Sequence, residues 1–468
     1  MRFMRKSNIF CILVLFMPGI WAYAQTEPWT LEQCIRHALE NNIQIKQQEL
    51  NTRYQENAFD QSRYDLLPSL NASASHNYSF GRALDETTYG FVEGTERIQT
   101  NNFQAGSGIT LFNGLQKINT IKQNRYDLLA SREDLDKMKN DISLNIALAY
   151  LQILFNEELM EVAHNQLEVT RLQVERTRKL VEAGSLPHGS LLEIQAQEAA
   201  EELQLVNSRN QYDISLLNLA QLLELDSVGD FTIARPELDV PDEDQLSLSV
   251  RDIYARAEAI LPQVKSAEYS LMGSQTSLKI ARGARSPSLS MNLFSSTGYS
   301  DARERMVTDE TGMPVLDPVT NLPTYEPYPF WDQLDDNITY GFGFSLSIPI
   351  FNQMRTNTSI SNARIGVMNA QLALENTKKQ LYKEIQQKYA DALAALKKYN
   401  ASLKTLSSMQ ESFRYTEQKF NVGLVTSVEY NTAKNQLTRT ESDLLQAKYE
   451  YIFQLKVLQF YTGKALEL

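Results

Sequence analysis

The sequence predicts a mainly α-helical protein that also supplies strands to a membrane β-barrel. Three observations carry this prediction. In each half of the chain the hydrophobic period changes from helical to strictly alternating and back again. The second helical stretch of each half runs for about 70 residues, a rod of about 105 Å at 1.5 Å per residue. The whole plan occurs twice. Of 468 residues 43% are apolar and 22% charged, a balance that fits neither a helical membrane protein nor a disordered chain. A net charge of -12 without any basic stripe argues against a nucleic-acid partner.

In chain order, Arg2, Arg5 and Lys6 precede an apolar run from Ile9 to Ile20 and then Ala22-Tyr23-Ala24. This reads as a cleaved secretory signal peptide over residues 1–24, too short for a permanent span. Cys11 would leave with it and Cys34 would remain as a single thiol, which is expected to be a small packed residue. The pattern from Thr30 to Tyr64 is helical, with Thr30 as cap. After Pro68 it alternates: Leu70, Ala72, Ala74, His76, Tyr78 and Phe80 share one face, and small polar residues from Ser69 to Ser79 the other. A partner strand runs from Phe103 to Leu111.

The second half supplies strands from Leu289 to Tyr299 and from Ile338 to Ile350. Strands of roughly 10 to 13 residues are long enough to cross a bilayer when tilted. The small polar face suits a water-filled lumen, and aromatic residues near the strand ends (Tyr78, Phe80, Phe103, Tyr299, Tyr340) suit an interfacial girdle. Four strands cannot close a barrel in lipid, so the chain must pool them with copies of itself, two giving eight strands and three giving twelve.

The rods are expected over 113–183 and 352–422. Between Ile142 and Val181 a heptad seam passes through positions 142, 146, 149, 153, 160, 163, 167, 170, 174, 177 and 181, with polar Asn156 inside it. Gly184 and Gly423 end the rods, and helices resume from Ser190 and Val428, the latter with a seam through Tyr430, Ala433, Leu437, Leu444, Ala447, Tyr451, Leu455 and Leu458. Residues 226–247, acidic and holding Pro236 and Pro241, read as a linker between a first repeat (25–225) and a second (248–468). A helix follows from Leu248 to Ser286. The halves share anchors: Gln44-Ile45-Lys46 and Pro68-Ser69-Leu70 return as Gln263-Val264-Lys265 and Pro287-Ser288-Leu289, and Tyr150 and Gly184 return as Tyr389 and Gly423. The loop from 301 to 337 is longer than its counterpart at 81–101 and is rich in Pro and aromatic residues, including Tyr328, Phe330 and Trp331. It reads either as a lid over the exit or as a variable surface loop.

Chemistry leaves no mark. His37, His76, His164 and His188 are dispersed, and there is no HExxH, Walker loop, cysteine pair or calcium loop, so no cofactor or metal is expected and the chain is not expected to be an enzyme. A periplasmic structural or adaptor coiled-coil protein is the alternative reading, although an adaptor should carry Gly-rich β-sandwich modules around one hairpin.

The leader, the duplicated helix-strand-strand-helix module, the rods and the turn Val422-Gly423-Leu424-Val425-Thr426 together resemble the TolC-like outer-membrane efflux proteins, the outer-membrane factors. The resemblance implies a homotrimer in outer-membrane lipid, with a 12-stranded barrel continued by a coiled-coil helical tunnel across the periplasm. It implies passive conduction for an efflux or type I secretion system, from a periplasmic adaptor and an inner-membrane pump to the outside. It assigns adaptor docking to Val422, Gly423 and Leu424, and to Gly184, whose neighbours Ala183 and Ser185 do not match. An acidic pore constriction would fall at Glu429 and Thr432, so one carboxylate per chain is kept. Phe420, Val425 and Ser190 stand where the family's closing bonds use an aromatic hydroxyl, an arginine and an acid. The gate is therefore expected to be held by packing or by other polar pairs.

Overall fold

The computed structural model describes residues 28–80, 97–226, 229, 231–236, 238, 240 and 248–466. The expected leader lies outside these residues, as does most of 237–247 in the expected linker.

The expected helix from Thr30 to Tyr64 is two helices. Thr30 and Gln33 form a capping box that starts α1 (Leu31–Asn41). Asn42 then turns extended, and its side-chain oxygen accepts from the N–H groups of Gln44 (2.9 Å) and Ile45 (3.3 Å) to start α2 (Ile43–Tyr64). After Pro68 the chain forms β1 (Ser69–Phe80) and returns as β2 (Arg97–Phe112). This second strand begins earlier than the alternation alone suggested, and the rest of the loop expected over 81–101, residues 81–96, lies outside the described residues. A long helix α3 (Gln116–Glu182) and a return helix α4 (His188–Leu222) complete the first half.

The second half repeats the order. The expected helix from Leu248 to Ser286 is again two, α5 (Val250–Ile260) and α6 (Pro262–Gly283), separated by extended Leu261. Pro262 has no N–H to donate and fits the first helical position. Next come β3 (Ser288–Ser300), the short strands β4 (Glu304–Met306) and β5 (Tyr325–Pro327), α7 (Phe330–Asp336), β6 (Thr339–Ser347), α8 (Arg355–Asn421) and α9 (Ser427–Tyr461). The strand expected to reach Ile350 stops at Ser347, shortly before Pro349. α3 and α8 each have 67 residues, about 100 Å. The corresponding helices of the two halves match in length throughout: 11 for α1 and α5, 22 for α2 and α6, 35 for α4 and α9.

The four long strands make one antiparallel sheet in the order β1-β2-β3-β6, so β1 and β6 each keep a free edge within the chain. The 301–337 segment is folded. Gln333 is fully buried, donates to the carbonyls of Ser300 and Tyr328, and accepts from the Ser300 N–H, which pins α7 onto the end of β3. Asn337 and Thr297 add further bonds between α7 and β3.

Helix packing follows the heptads. Ile142, Ile146, Ile153, Ala163, Leu167, Thr170, Val174 and Thr177 are buried on α3, while Tyr150 takes the place expected of Ala149. In the middle of the molecule Tyr150 is central to a cluster with Ile45, Ile146, Leu219 and Ile452. Its hydroxyl donates to the Ala234 carbonyl at 2.6 Å, where Trp29 and Ile233 form a parallel bridge, so described linker residues are held against the N-terminal segment. Cys34 is fully buried in this cluster, and burial pushes its thiol up to about 12, so it packs and does not react. Where the helices meet the sheet, a Cβ at Gly114 would lie 2.2 Å from the Gly283 carbonyl oxygen, and one at Gly283 would lie 2.5 Å from that of Gly114. The two backbones touch there with no side chain between them.

Candidate functional site

The candidate site lies where the two long hairpins end. α3 closes with a Schellman-type turn in which Gly184 is left-handed (φ 74°) and the Ser185 N–H donates to the Leu180 carbonyl. α8 closes in the same way at Gly423 (φ 76°), with the Leu424 N–H donating to the Lys419 carbonyl at 2.9 Å. No heavy atom lies within 4 Å of a Cβ built on either glycine, so backbone conformation and not space selects glycine here. The turns differ in what they present. Val422 and Leu424 are 70% and 74% exposed, with Val428 beside them, whereas the first turn exposes Ser185, Pro187 and His188.

Polar bonds hold the two turns at one end of the molecule. The Ser427 hydroxyl donates to the Glu193 carboxylate, the Arg176 guanidinium to the Asn421 side chain, and the Gln197 amide to Asn435 at 3.0 Å. Deeper along the rods, Lys434 of α9 is only 3% exposed and reaches α3 and α4 together. Its ammonium donates to the Gln166 carbonyl (3.0 Å), to the Thr170 hydroxyl and to the Glu201 carboxylate (3.3 Å), and Thr170 donates to Glu201 in turn. Burial pulls the Lys434 ammonium below its ordinary value and Glu201 opposes that shift. Tyr430 is packed between Phe420, stacked at 4.6 Å between ring centres, and Phe413 at 5.4 Å. Burial pushes its phenol up to about 12, with the Glu417 and Glu201 carboxylates acting in the same direction.

Glu429 and Thr432 are both exposed and occupied within their own helix. The Glu429 carboxylate accepts from the Thr426 N–H at 2.9 Å while the Glu429 N–H donates to the Thr426 hydroxyl, a capping box that starts α9. The Thr432 hydroxyl donates to the Val428 carbonyl. Phe420, read from sequence only as a missing hydroxyl, is half of an aromatic stack. Tyr430 and Thr170 were visible as seam positions. Lys434 and Glu201 were not, because a charged pair 233 positions apart leaves no periodic signal.

At the opposite end, register divides the sheet into a mainly polar and a mainly apolar face. Register places Ser69, Asn71, Ser73, Ser75 and Asn77 beside Gly108, Gly106, Gln104, Asn102 and Thr100 on one side. Leu70, Tyr78, Phe103, Leu293, Tyr340, Phe342 and Phe344 stand exposed on the other, a wide apolar surface in the single chain. His76 lies on that apolar side, bonded to Asn101 and edge-on to Tyr78. Among the described residues no helix is long and apolar enough to cross a membrane, and no group of His, Cys, Asp and Glu side chains is placed to hold a metal ion.

Comparison with known proteins agrees with this geometry. The chain is 24% identical over 438 residues to the cation efflux system protein CusC of Escherichia coli O157:H7, covering 92% of this chain and 84% of the relative. It is 22% identical over 474 residues to the outer membrane protein TolC of Salmonella enteritidis, covering 98% and 87%. The fold matches the solved outer membrane protein VceC of Vibrio cholerae with a TM-score of 0.75 at 15% identity, over 93% of this chain and 97% of that one. Residues 34–224 and 253–464 match the family described as outer membrane efflux protein. With both hairpin repeats falling inside those matched spans, the chain belongs to the outer membrane efflux protein family.

Proposed function

We propose that this protein is the passive outer-membrane duct of an efflux or type I secretion system, a homotrimer whose 12-stranded barrel opens outside and whose helices form a tunnel through the periplasm. One observation carries the reading: a four-stranded sheet with an apolar outer face and two free edges sits at the end of helices about 100 Å long. Free edges in lipid leave backbone groups unpaired, and pairing β1 of one copy with β6 of the next removes them all. The family locates the protein in the outer membrane with its helices in the periplasm. Three chains with two matching halves each would make a tunnel of six similar hairpins, and the equal helix lengths favour a duplicated module.

In this reading substrates are conducted unchanged. The two turns meet a periplasmic adaptor, with Val422 and Leu424 as an apolar knob and Gly423 and Gly184 shaping the ends, and the adaptor couples the duct to an inner-membrane pump. Glu429 and Thr432 line the narrowest part from the start of α9. The gate is held by the Phe420–Tyr430 stack and the Lys434–Thr170–Glu201 triad in place of the family's closing bonds.

Extraction of outer membranes in mild detergent, followed by native mass measurement and electron microscopy, tests the assembly. The expected result is a trimer with a closed barrel and rods about 100 Å long. A chain recovered as a stable monomer without detergent would sink the duct.

A further inference from the structure

The exposed part of the sheet's polar face is chemically monotonous except at one place; Ile98 shares this face but is buried. Three of its rows, read across the register, are Ser69–Gly108–Asn292–Gly343, then Asn71–Gly106–Phe294–Gly341, then Ser73–Gln104–Ser296–Thr339. Arg97, at the rim, is the one formally charged residue in the four long strands, and it lies on the Tyr78 side, with its guanidinium 4.9 Å from that ring. Every other residue in these rows is small or an uncharged amide or hydroxyl. Phe294 alone is large and apolar, and it is 52% exposed.

Its position is built by its neighbours. Glycines flank Phe294 on both sides of its row, Gly106 on β2 and Gly341 on β6. The far edge of the ring lies over the Gly341 backbone, where an added Cβ would come within 2.8 Å of the ring's Cζ. Any side chain at 341 would push the ring off the wall. The ring is thus supported from below and open above, facing the side that the barrel encloses.

Resting on the closed-barrel reading above, we propose that Phe294 is a contact point for conducted solutes that carry an aromatic group, three rings standing at one height in the trimer. The hydroxyl and amide wall around it offers solutes only bonds that water offers equally well. A ring in that wall adds dispersion and a negative π-face, and an aromatic cation is retained by both. The wall around the ring carries no charge to repel or hold such a solute, so the ring sets the preference.

A ring that covers a glycine also supports strand pairing, and the test separates the two roles. Trimers are placed in lipid nanodiscs with 4-fluorobenzyltrimethylammonium or with the aliphatic control 2,2,2-trifluoroethyltrimethylammonium, and fluorine line broadening is measured. The expected result is an excess broadening of the aromatic probe that falls about threefold in Phe294→Leu and returns in Phe294→Tyr, with the aliphatic probe unchanged. Leucine keeps the apolar cover over Gly341, so heat resistance of the Phe294→Leu trimer should stay near the parental value. Equal broadening in the parent and in Phe294→Leu, or equal response of both probes, overturns the role of Phe294. Imaging of the same parental discs is read separately: absence of a closed barrel removes the duct itself, whereas a closed barrel with unchanged broadening removes only this contact.

Discussion

Lys434 shows how a charged residue is kept in a coiled-coil interior. Its ammonium has three protein acceptors, one of them the Glu201 carboxylate, and the Thr170 hydroxyl joins the pair by donating to Glu201. Removing one partner strands the other charge, so Lys434→Ala should destabilise the folded chain by about 3 kcal/mol in urea unfolding followed by circular dichroism. Replacing both, as Lys434→Met with Glu201→Leu, should cost far less; equal losses in the two variants would show that the pair is not mutually dependent. The buried phenols make a second prediction. Tyr430 and Tyr461 are pushed up to about 12, chiefly by burial, from an ordinary value of 10.0. Above pH 10 the unfolded chain therefore releases protons that the folded chain retains. Their contribution is complete below that pH and is lost as pH rises toward 12. Lys434, held below its ordinary 10.5, acts in the opposite sense as pH rises toward that value. Tyrosinate absorbance should thus lag in a fraction of the tyrosines until unfolding, and Tyr430→Phe should shrink that fraction. An unaltered titration in Tyr430→Phe would contradict its burial.

Among the elements, the start of α9 places a cap and a proposed pore role on one side chain. Glu429 closes a capping box and is the residue we propose for the constriction. Glu429→Gln keeps an acceptor for the Thr426 N–H and removes the charge, so it should lower cation preference in planar bilayers while leaving thermal stability unchanged. Glu429→Ala should lose the charge and also about 1 kcal/mol of cap. Unchanged selectivity in both variants would return Glu429 to a capping role alone. At the preceding turn, Gly423→Trp strains a left-handed position by about 1–2 kcal/mol and puts bulk among Val422 and Leu424. Trimer levels should hold while adaptor cross-linking and export are lost; export at the parental rate would mean that the adaptor binds elsewhere. What was legible at this scale followed from periodicity. The strands and rods repeat one pattern long enough to be read, whereas the helix expected from Leu248 to Ser286 was read through Pro262, the residue at which it divides. Asn42 breaks its helix through a side chain that bonds forward to Gln44 and Ile45, and an asparagine in a helical pattern does not announce that choice. The 301–337 segment hid its fold because Gln333 and Asn337 hold it through backbone carbonyls and not through any hydrophobic repeat.

For the molecule as a whole, the joint between sheet and helices sets how the two parts can move. Gly114 and Gly283 bring two backbones into direct contact, so no rotamer change can relax a substitution there. Gly283→Ala should cost about 1–3 kcal/mol or more and lower the yield of heat-resistant trimer, read by seminative gel electrophoresis. A trimer of parental heat resistance would show that the backbones can separate. The joint also acts as the short arm of a lever. Over a rod of about 100 Å, a tilt of about one degree at Gly114 and Gly283 sweeps the far turns through about 2 Å. Because stiff peptide planes meet at the fulcrum, wide excursions at Gly184 and Gly423 must come from flexure along the rods, and the sheet can keep its form while the distant turns move.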